Sequence, residues 1–283
     1  MYSPNLEIPL QQVERRMRQL ACAGDCRTGR IAAAHLVGGS RVRARLALHA
    51  ALALDCTHSE AVAIAAACEL IHNASLVHDD LQDRDALRRG RAAVWCEHGD
   101  ATAICIGDLL LSSGYAALAD CGAQASRLIA HTHQRIAATV RGQCSDLELK
   151  ARLDVPLATY EAVAAGKSGP LLSLPIELAL LMANGDVHLP LAANAASFFA
   201  VAYQMTDDLT DVERDALNEE LNVVAVLAAA GVDAPIQAAA RLALRHFSEA
   251  KRAALALPNG VGQLLAEYAN QGIQKLTAQQ VVA

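Results

Sequence analysis

Glu69-Leu70-Ile71-His72-Asn73-Ala74-Ser75-Leu76-Val77-His78-Asp79-Asp80-Leu81-Gln82-Asp83 is an apolar stretch of helical period that ends in three acids. On a helix, residues four apart share a face, so Asp79 and Asp83 point together while Asp80 points aside. His72 lies two turns before Asp79 on the same face. The pattern recurs in Asp207-Asp208-Leu209-Thr210-Asp211, which closes a second apolar stretch, with Gln204 one turn before Asp207. Carboxylates crowded beside a core cost free energy unless a cation neutralises them. Two pairs of hard oxygen ligands with open positions between them suit Mg2+.

Working outward, the rest of the chain also reads as helix. It has 283 residues, 53% hydrophobic and only 3% aromatic, with eight prolines. Such a composition favours an all-α protein whose helices pack closely through Ala. Expected helices run from Leu10 to Ala23, stopping near Gly24, and from Arg41 to Asp55. A long helix capped by Ser59 reaches Asp83, and Asp100–Ala119 and Gln124–Lys150 follow. Beyond them come Thr159–Met182, with a kink near Gly166–Pro170, and Leu189–Asp211. Leu221–Ala230, Pro235–Leu257 and Val261–Gln280 complete the series. Asp85–His98 is polar and basic, hence loop or short turns. No linker divides these segments, so residues 1–283 read as a single all-helical domain.

A net charge of −6 argues against nucleic acid as a partner. No apolar run reaches bilayer length, and Met1–Leu10 lacks the shape of a signal peptide. The eight cysteines form no CxxC pair, which fits free thiols in a reducing cytoplasm. His131 and His133 fall on different helix faces and read as an exposed pair, and Trp95 as a loop-packing residue. His78 reads as a helix-packing histidine. Asp108 and Asp146 read as helix caps or bridges.

Leu87-Arg88-Arg89-Gly90-Arg91 follows the first acid motif at once. Guanidinium forks match phosphate oxygens, so metal-holding acids followed by paired arginines suit a metal-bound diphosphate. With these residues the chain resembles the trans-isoprenyl diphosphate synthases, closest in type to those making geranylgeranyl diphosphate. Gly38-Gly39-Ser40-Arg41-Val42-Arg43 is similar to that family's G-G-K-R-x-R. Gly107-Asp108-Leu109-Leu110, Gly142-Gln143-Cys144-Ser145-Asp146-Leu147 and Lys167-Ser168-Gly169 resemble its G-D-x-L, G-Q-x-x-D-L and K-T-G. Tyr203–Asp211 resembles its second aspartate-rich motif.

The resemblance implies an isoprenoid synthase type I helical bundle around a central cavity, usually a homodimer. It implies metal ligands at Asp79, Asp83, Asp207 and Asp211, holding three magnesium ions against an allylic diphosphate (dimethylallyl, geranyl or farnesyl). Arg88, Lys167 and Gln204 would stabilise the departing diphosphate, with Ser168 beside them. Arg43, His72 and Arg89 would bind isopentenyl diphosphate. Ala74 and Ser75 would floor the cavity, and their small size implies geranylgeranyl diphosphate or longer, unless Leu110, Ser113 or Gly114 closes the tunnel lower down.

Two departures stand out. Ser40 replaces the family lysine, leaving Arg41, Arg43 or Arg45 to compensate. After Asp211 the lysine-bearing lid is replaced by the short acidic run Val212–Asn222, with Arg214 as the nearby cation. Each lost charge-assisted contact weakens phosphate binding by about 1.5–3 kcal/mol unless replaced. Two other readings therefore stay open: a terpene cyclase acting on the allylic diphosphate alone, or a non-catalytic partner subunit.

Overall fold

The computed structural model describes residues 6–23, 26–150, 152, 154–217 and 220–278. Its contacts form two compact units, residues 1–130 with 178–184, and residues 131–177 with 185–283. The first holds α1 (Glu7–Ala21), α2 (Arg27–His35), α3 (Val42–Ala53), α4 (His58–Asp83), β1 (Leu87–Arg88), β2 (Arg91–Ala92), α5 (Val94–His98) and α6 (Asp100–Leu118). α7 (Ala125–Leu149) and α8 (Leu157–Met182) lie mostly in the second, with α9 (Leu189–Leu217), α10 (Val223–Ala229), α11 (Pro235–Leu255) and α12 (Gln263–Ala278). The all-α expectation holds, with one four-residue hairpin as the exception among the described residues.

In the first unit α4 is the central element. Its start is a reciprocal cap: Thr57 Oγ1 accepts the Glu60 N–H, and Glu60 Oε2 accepts the Thr57 N–H at 2.8 Å. Thr57, two residues before the expected Ser59, wins because a Glu stands three places after it. α4 packs on α3 and α6 through alanines that are almost fully buried, among them Ala47, Ala50, Ala66 and Ala67. Glycine on α6 allows the close approach. A Cβ at Gly114 would lie 2.5 Å from Ile71 Cγ1, and one at Gly107 would collide with the His78 ring. Burying a side chain such as Ile71 contributes about 1.5–3 kcal/mol.

α4 and the Asp100–Leu149 stretch are long and apolar enough to cross a bilayer by length and composition, which corrects the sequence expectation. α4 is mostly buried inside the protein, as a core helix is.

The second unit centres on α9, α11 and α12, whose core includes Tyr160, Met205, Val223, Phe247 and Ala269. The Phe247 ring stands edge-on to Phe199 at 5.5 Å and fills the space that a Cβ at Gly272 would need. α8 runs unbroken through Pro170 and Pro175.

Three local expectations change. α2 is an additional helix, whose Cys26 Sγ accepts the Gly29 N–H at 3.4 Å. Residues 87–98 contain the hairpin and α5. α9 continues past Asp211, bending there at φ −113° and ψ 16°, and absorbs part of the expected lid. Gly24, Gln280 and the lid residues Asn218 and Glu219 lie outside the described residues.

Candidate active site

The last turns of α4 present Asp79 and Asp83 on a half-buried face. Asp80 is only 1% exposed and turns inward, where its Oδ1 accepts Arg88 Nε at 2.7 Å and also Arg88 Nη2. Burial raises the Asp80 pKa, and the Arg88 hydrogen bond offsets part of that rise. Asp79 acts electrostatically on the same guanidinium, so Arg88 is held near that outer acid. A single chain reversal delivers both arginines. Arg84 ends α4 in the left-handed region, and Leu87↔Ala92 and Arg88↔Arg91 then pair across the two-residue loop Arg89-Gly90. Both loop residues have positive φ, 55° and 74°, the geometry of a type I′ hairpin. A non-glycine residue in that region is strained, by about 1 kcal/mol or more.

The strain is offset by where it places Arg89. Its Nη1 donates to the His35 carbonyl at 3.3 Å and its Nη2 to Asn73 Oδ1 at 3.2 Å, while Asn73 Nδ2 donates to the Glu69 carbonyl. The guanidinium lies over Gly39, at φ +92°, where a Cβ would sit 3.1 Å from Arg89 Cζ. Arg91 Nη1 reaches the Ala34 carbonyl at 3.1 Å, so two guanidinium groups cap the C-terminal end of α2. His72 is held neutral, first by burial and then by Arg43, Arg89, Arg88 and His35. Burial, and then Arg41, also lower the pKa of Arg89. The structure thus brings Arg43, Arg88 and Arg89 together as a cluster of like charge around the neutral His72, which an anion would stabilise. Ala74 is buried beside it in sequence, and Ser75 Oγ donates to the His72 carbonyl at 2.8 Å.

The expected substitutes for the missing lysine narrow to one. Arg41 turns inward at 9% exposure, toward the Leu36 carbonyl, Glu14 and Glu69, because its left-handed backbone starts α3 there. Arg45 faces Glu7 at 4.0 Å. Arg43 alone faces His72.

In the second unit, α9 carries Gln204, Asp207 and Asp211 on one side, with Asp208 only 1% exposed. Asp208 is a hub. Its Oδ2 accepts the Tyr160 hydroxyl at 2.8 Å and the Val223 N–H at 2.7 Å, and its Oδ1 accepts Gln204 Nε2 at 2.8 Å. Burial pushes its pKa up to about 6 despite these donors. Asn222 caps α10 and donates from Nδ2 to the Asp208 carbonyl at 2.9 Å and to Asp215 Oδ2 at 2.8 Å. Gln204 is therefore anchored to the hub. Lys167 Nζ donates to Asp146 Oδ2 at 2.8 Å, and Asp146 acts in turn on the Tyr160 hydroxyl, which ties Lys167 to the same group. Ser168 is half-buried next to it. The helices meet closely here, since a Cβ at Gly142 would collide with Gly166.

Asp207 is pushed up to about 6, first by desolvation and then by Asp211, while Lys275 on α12 and Arg214 pull it down. Arg214 Nη2 lies 2.8 Å from Asp211 Oδ2 and 3.3 Å from Asp215 Oδ1. Crowded, partly desolvated carboxylates of this kind fit a divalent cation. Among the described residues no three His, Cys, Asp or Glu side chains form a complete metal cage. The donor set suits Mg2+, which takes one or two carboxylates and completes its shell with phosphate oxygens and water.

Sequence reasoning missed several participants. Asn73 is a fully buried polar residue on an apolar stretch, and that contrast was the available signal. Lys275, Tyr160 and the Asn222 cap carry no local signal. His131 is not exposed: its Nε2 pairs at 2.8 Å with Glu177, fully buried, which also takes two bonds from Arg135. His78, set against Gly107 and 3.7 Å from Asp108, does pack between helices. Trp95 donates to the Asp85 carbonyl at 2.8 Å beneath Arg84.

Residues 29–227 match the sequence profile of the family described as Polyprenyl synthetase. A (2E,6E)-farnesyl diphosphate synthase of Mycobacterium bovis is 35% identical over 179 residues, 62% of this chain and 49% of that protein. The chain thus spans about half the length of this curated relative. A probable farnesyl diphosphate synthase of Bradyrhizobium diazoefficiens is 32% identical over 276 residues, 90% of this chain and 80% of that protein. The solved decaprenyl diphosphate synthase from Rhodobacter capsulatus shares the fold, with a TM-score of 0.86 at 22% identity over 96% of this chain and 97% of that one. The helical bundle, the ordered motifs and these matches lead to one conclusion: the chain belongs to the polyprenyl synthetase family.

Proposed function

We propose that the protein joins an allylic diphosphate to isopentenyl diphosphate, head to tail, giving a prenyl diphosphate. The observation that carries this reading is the cluster of Arg43, His72 and Arg89 beside the first acid motif. A cyclase, which takes one diphosphate, has no evident use for it. Asp79, Asp83, Asp207 and Asp211 would hold magnesium. Magnesium bound there supplies positive charge to the diphosphate leaving group. Arg88, Lys167 and Gln204 donate hydrogen bonds to that group as its C–O bond breaks. Arg43, His72 and Arg89 orient the second diphosphate, so that the isopentenyl double bond attacks the allylic carbon and forms the new C–C bond. A proton then leaves the isopentenyl unit to the released diphosphate, restoring a double bond. Water has to be kept from the allylic carbon, because it would quench the cation.

Geranylgeranyl diphosphate is the product we propose. Ala74 and Ser75 are small where a bulky side chain would block growth. The named relatives make shorter and longer chains, so product length rests on these residues. Ala74→Phe is expected to shorten the main product by at least one isoprene unit, read by chromatography of the dephosphorylated alcohols. An unchanged product would remove Ala74 from the floor of the cavity.

The short acidic run after Asp211 favours the cyclase as the second reading, because it lacks the lysines of a two-substrate lid. Measuring diphosphate release from geranyl or farnesyl diphosphate with and without isopentenyl diphosphate separates the two. Condensation requires the second substrate; equal release without it supports the cyclase, and no release under either condition supports a partner subunit. We further propose that residues 1–283 act as one domain in a cytoplasmic homodimer. Among the described residues no cysteine forms a disulfide, in keeping with a reducing compartment.

A further inference from the structure

We propose that Asn73 is a positioning residue for Arg89: its neutral amide oxygen holds the guanidinium in place and leaves the charge free for the diphosphate of isopentenyl diphosphate. The inference rests on the condensation reading, which assigns Arg89 to that diphosphate, and deepens it.

Asn73 is fully buried on α4, and both ends of its amide have partners. Nδ2 donates to the Glu69 carbonyl at 2.8 Å, one turn back, which turns Oδ1 toward Arg89 Nη2 at 3.2 Å. The opposite orientation of the amide would set an N–H against the guanidinium. A buried amide satisfied in this way is a firm support, because moving it leaves a polar group unpaired in the core. Arg89 depends on such a support. Its backbone sits at φ 55° in the hairpin loop, and its side chain reaches away from the hairpin to α2 and α4. Gly39 leaves room for it on the remaining side.

The two adjacent arginines are held in opposite ways. Arg88 donates from Nε and Nη2 to the Asp80 carboxylate, and its Nη2 also lies 3.7 Å from Asp85 Oδ2. Arg89 donates to uncharged oxygens, the His35 carbonyl and Asn73 Oδ1, and among the described residues no carboxylate pairs with it. Glu69 acts on it only from farther off, because the Glu69 carboxylate is engaged elsewhere: Oε1 accepts the Ala44 N–H at 3.0 Å, and Oε2 lies 3.8 Å from Arg41 Nη1. A carboxylate at position 73 would fix Arg89 as firmly but would also neutralise it before any ligand arrived. A neutral oxygen fixes the geometry alone. The guanidinium is thereby oriented in advance with its charge still available to an anion.

Inorganic pyrophosphate titrated calorimetrically into the whole protein in EDTA tests this without turnover. Asn73→Asp pairs with Arg89 and is expected to weaken pyrophosphate binding about tenfold. Asn73→Ala releases Arg89 and should weaken binding to a similar degree. Asn73→Thr is the conservative variant. A mid-helix threonine hydroxyl donates to the carbonyl one turn back and keeps a lone pair for Arg89, so its affinity should stay within about threefold of the unmodified protein. Unchanged affinity in Asn73→Asp overturns the inference, since the charge at position 73 would then not matter. So does an Asn73→Thr protein as weak as Asn73→Ala, which would mark a packing role. Should Asn73→Asp fail to fold, the comparison of Asn73→Thr with Asn73→Ala decides by itself. A protein that shows the expected pattern with pyrophosphate but forms no extended product would overturn the condensation reading alone.

Discussion

Asp79→Asn lowers kcat/KM for condensation by at least about 10³-fold, and Asp207→Asn does so by a similar factor. Asparagine keeps the shape of the side chain and one carbonyl oxygen but removes the charge. The charge is what matters in this account, because these outer acids hold the cation that makes diphosphate a leaving group. The structure gives the reason for separating them from their neighbours. In each motif the second acid faces inward to protein donors: Asp80 to Arg88, and Asp208 to Tyr160, Gln204 and Val223. The inner acids serve the fold, and the proposed function assigns the outer ones to the ligand. Loss of activity should therefore come with a change in stability of less than about 1 kcal/mol, read by urea unfolding. An Asp79→Asn protein within tenfold of normal turnover would contradict the metal assignment.

Asp208→Ala produces the opposite profile, with the largest loss of stability expected of any single change in the second unit. Removing the carboxylate leaves the Tyr160 hydroxyl and the Val223 N–H without their acceptor inside the core, and releases Gln204. Each buried donor left unsatisfied costs about 1–3 kcal/mol, so the two together cost about 2–6 kcal/mol. α10 should loosen first, because Asn222 joins its start to the Asp208 carbonyl and to Asp215. Hydrogen exchange of the Val223 amide reads this directly. A shift below about 1 kcal/mol, with Val223 still protected, would show that the hub is not what holds α10 to α9.

Much of this was legible in the residues. Apolar helical periodicity located α4 and α9, and i,i+4 spacing put Asp79 with Asp83 and left Asp80 aside. The paired arginines just after α4 were plain in the sequence, and the structure sets them on a hairpin. Burial and long-range pairing were not legible. Arg41 looked like a substitute for the missing lysine, but its left-handed backbone at the start of α3 turns it toward Glu14 and Glu69. His131 looked exposed until α8 brought Glu177 to it. The acidic run after Asp211 read as loop, whereas helix-forming Glu213, Arg214 and Ala216 extend α9 to Leu217. The hairpin at Arg89-Gly90 hid in a segment too short for periodicity to register. Asp208 and Tyr160 are 48 residues apart, and no local pattern links them.

The most direct test of the central claim is mass-spectrometric product analysis after incubating the purified protein with Mg2+, isopentenyl diphosphate and farnesyl diphosphate. The account predicts geranylgeranyl diphosphate, one isoprene unit longer than the allylic substrate, and none of it when EDTA replaces Mg2+. Farnesyl diphosphate recovered unextended, or converted to a hydrocarbon without consuming isopentenyl diphosphate, would contradict it.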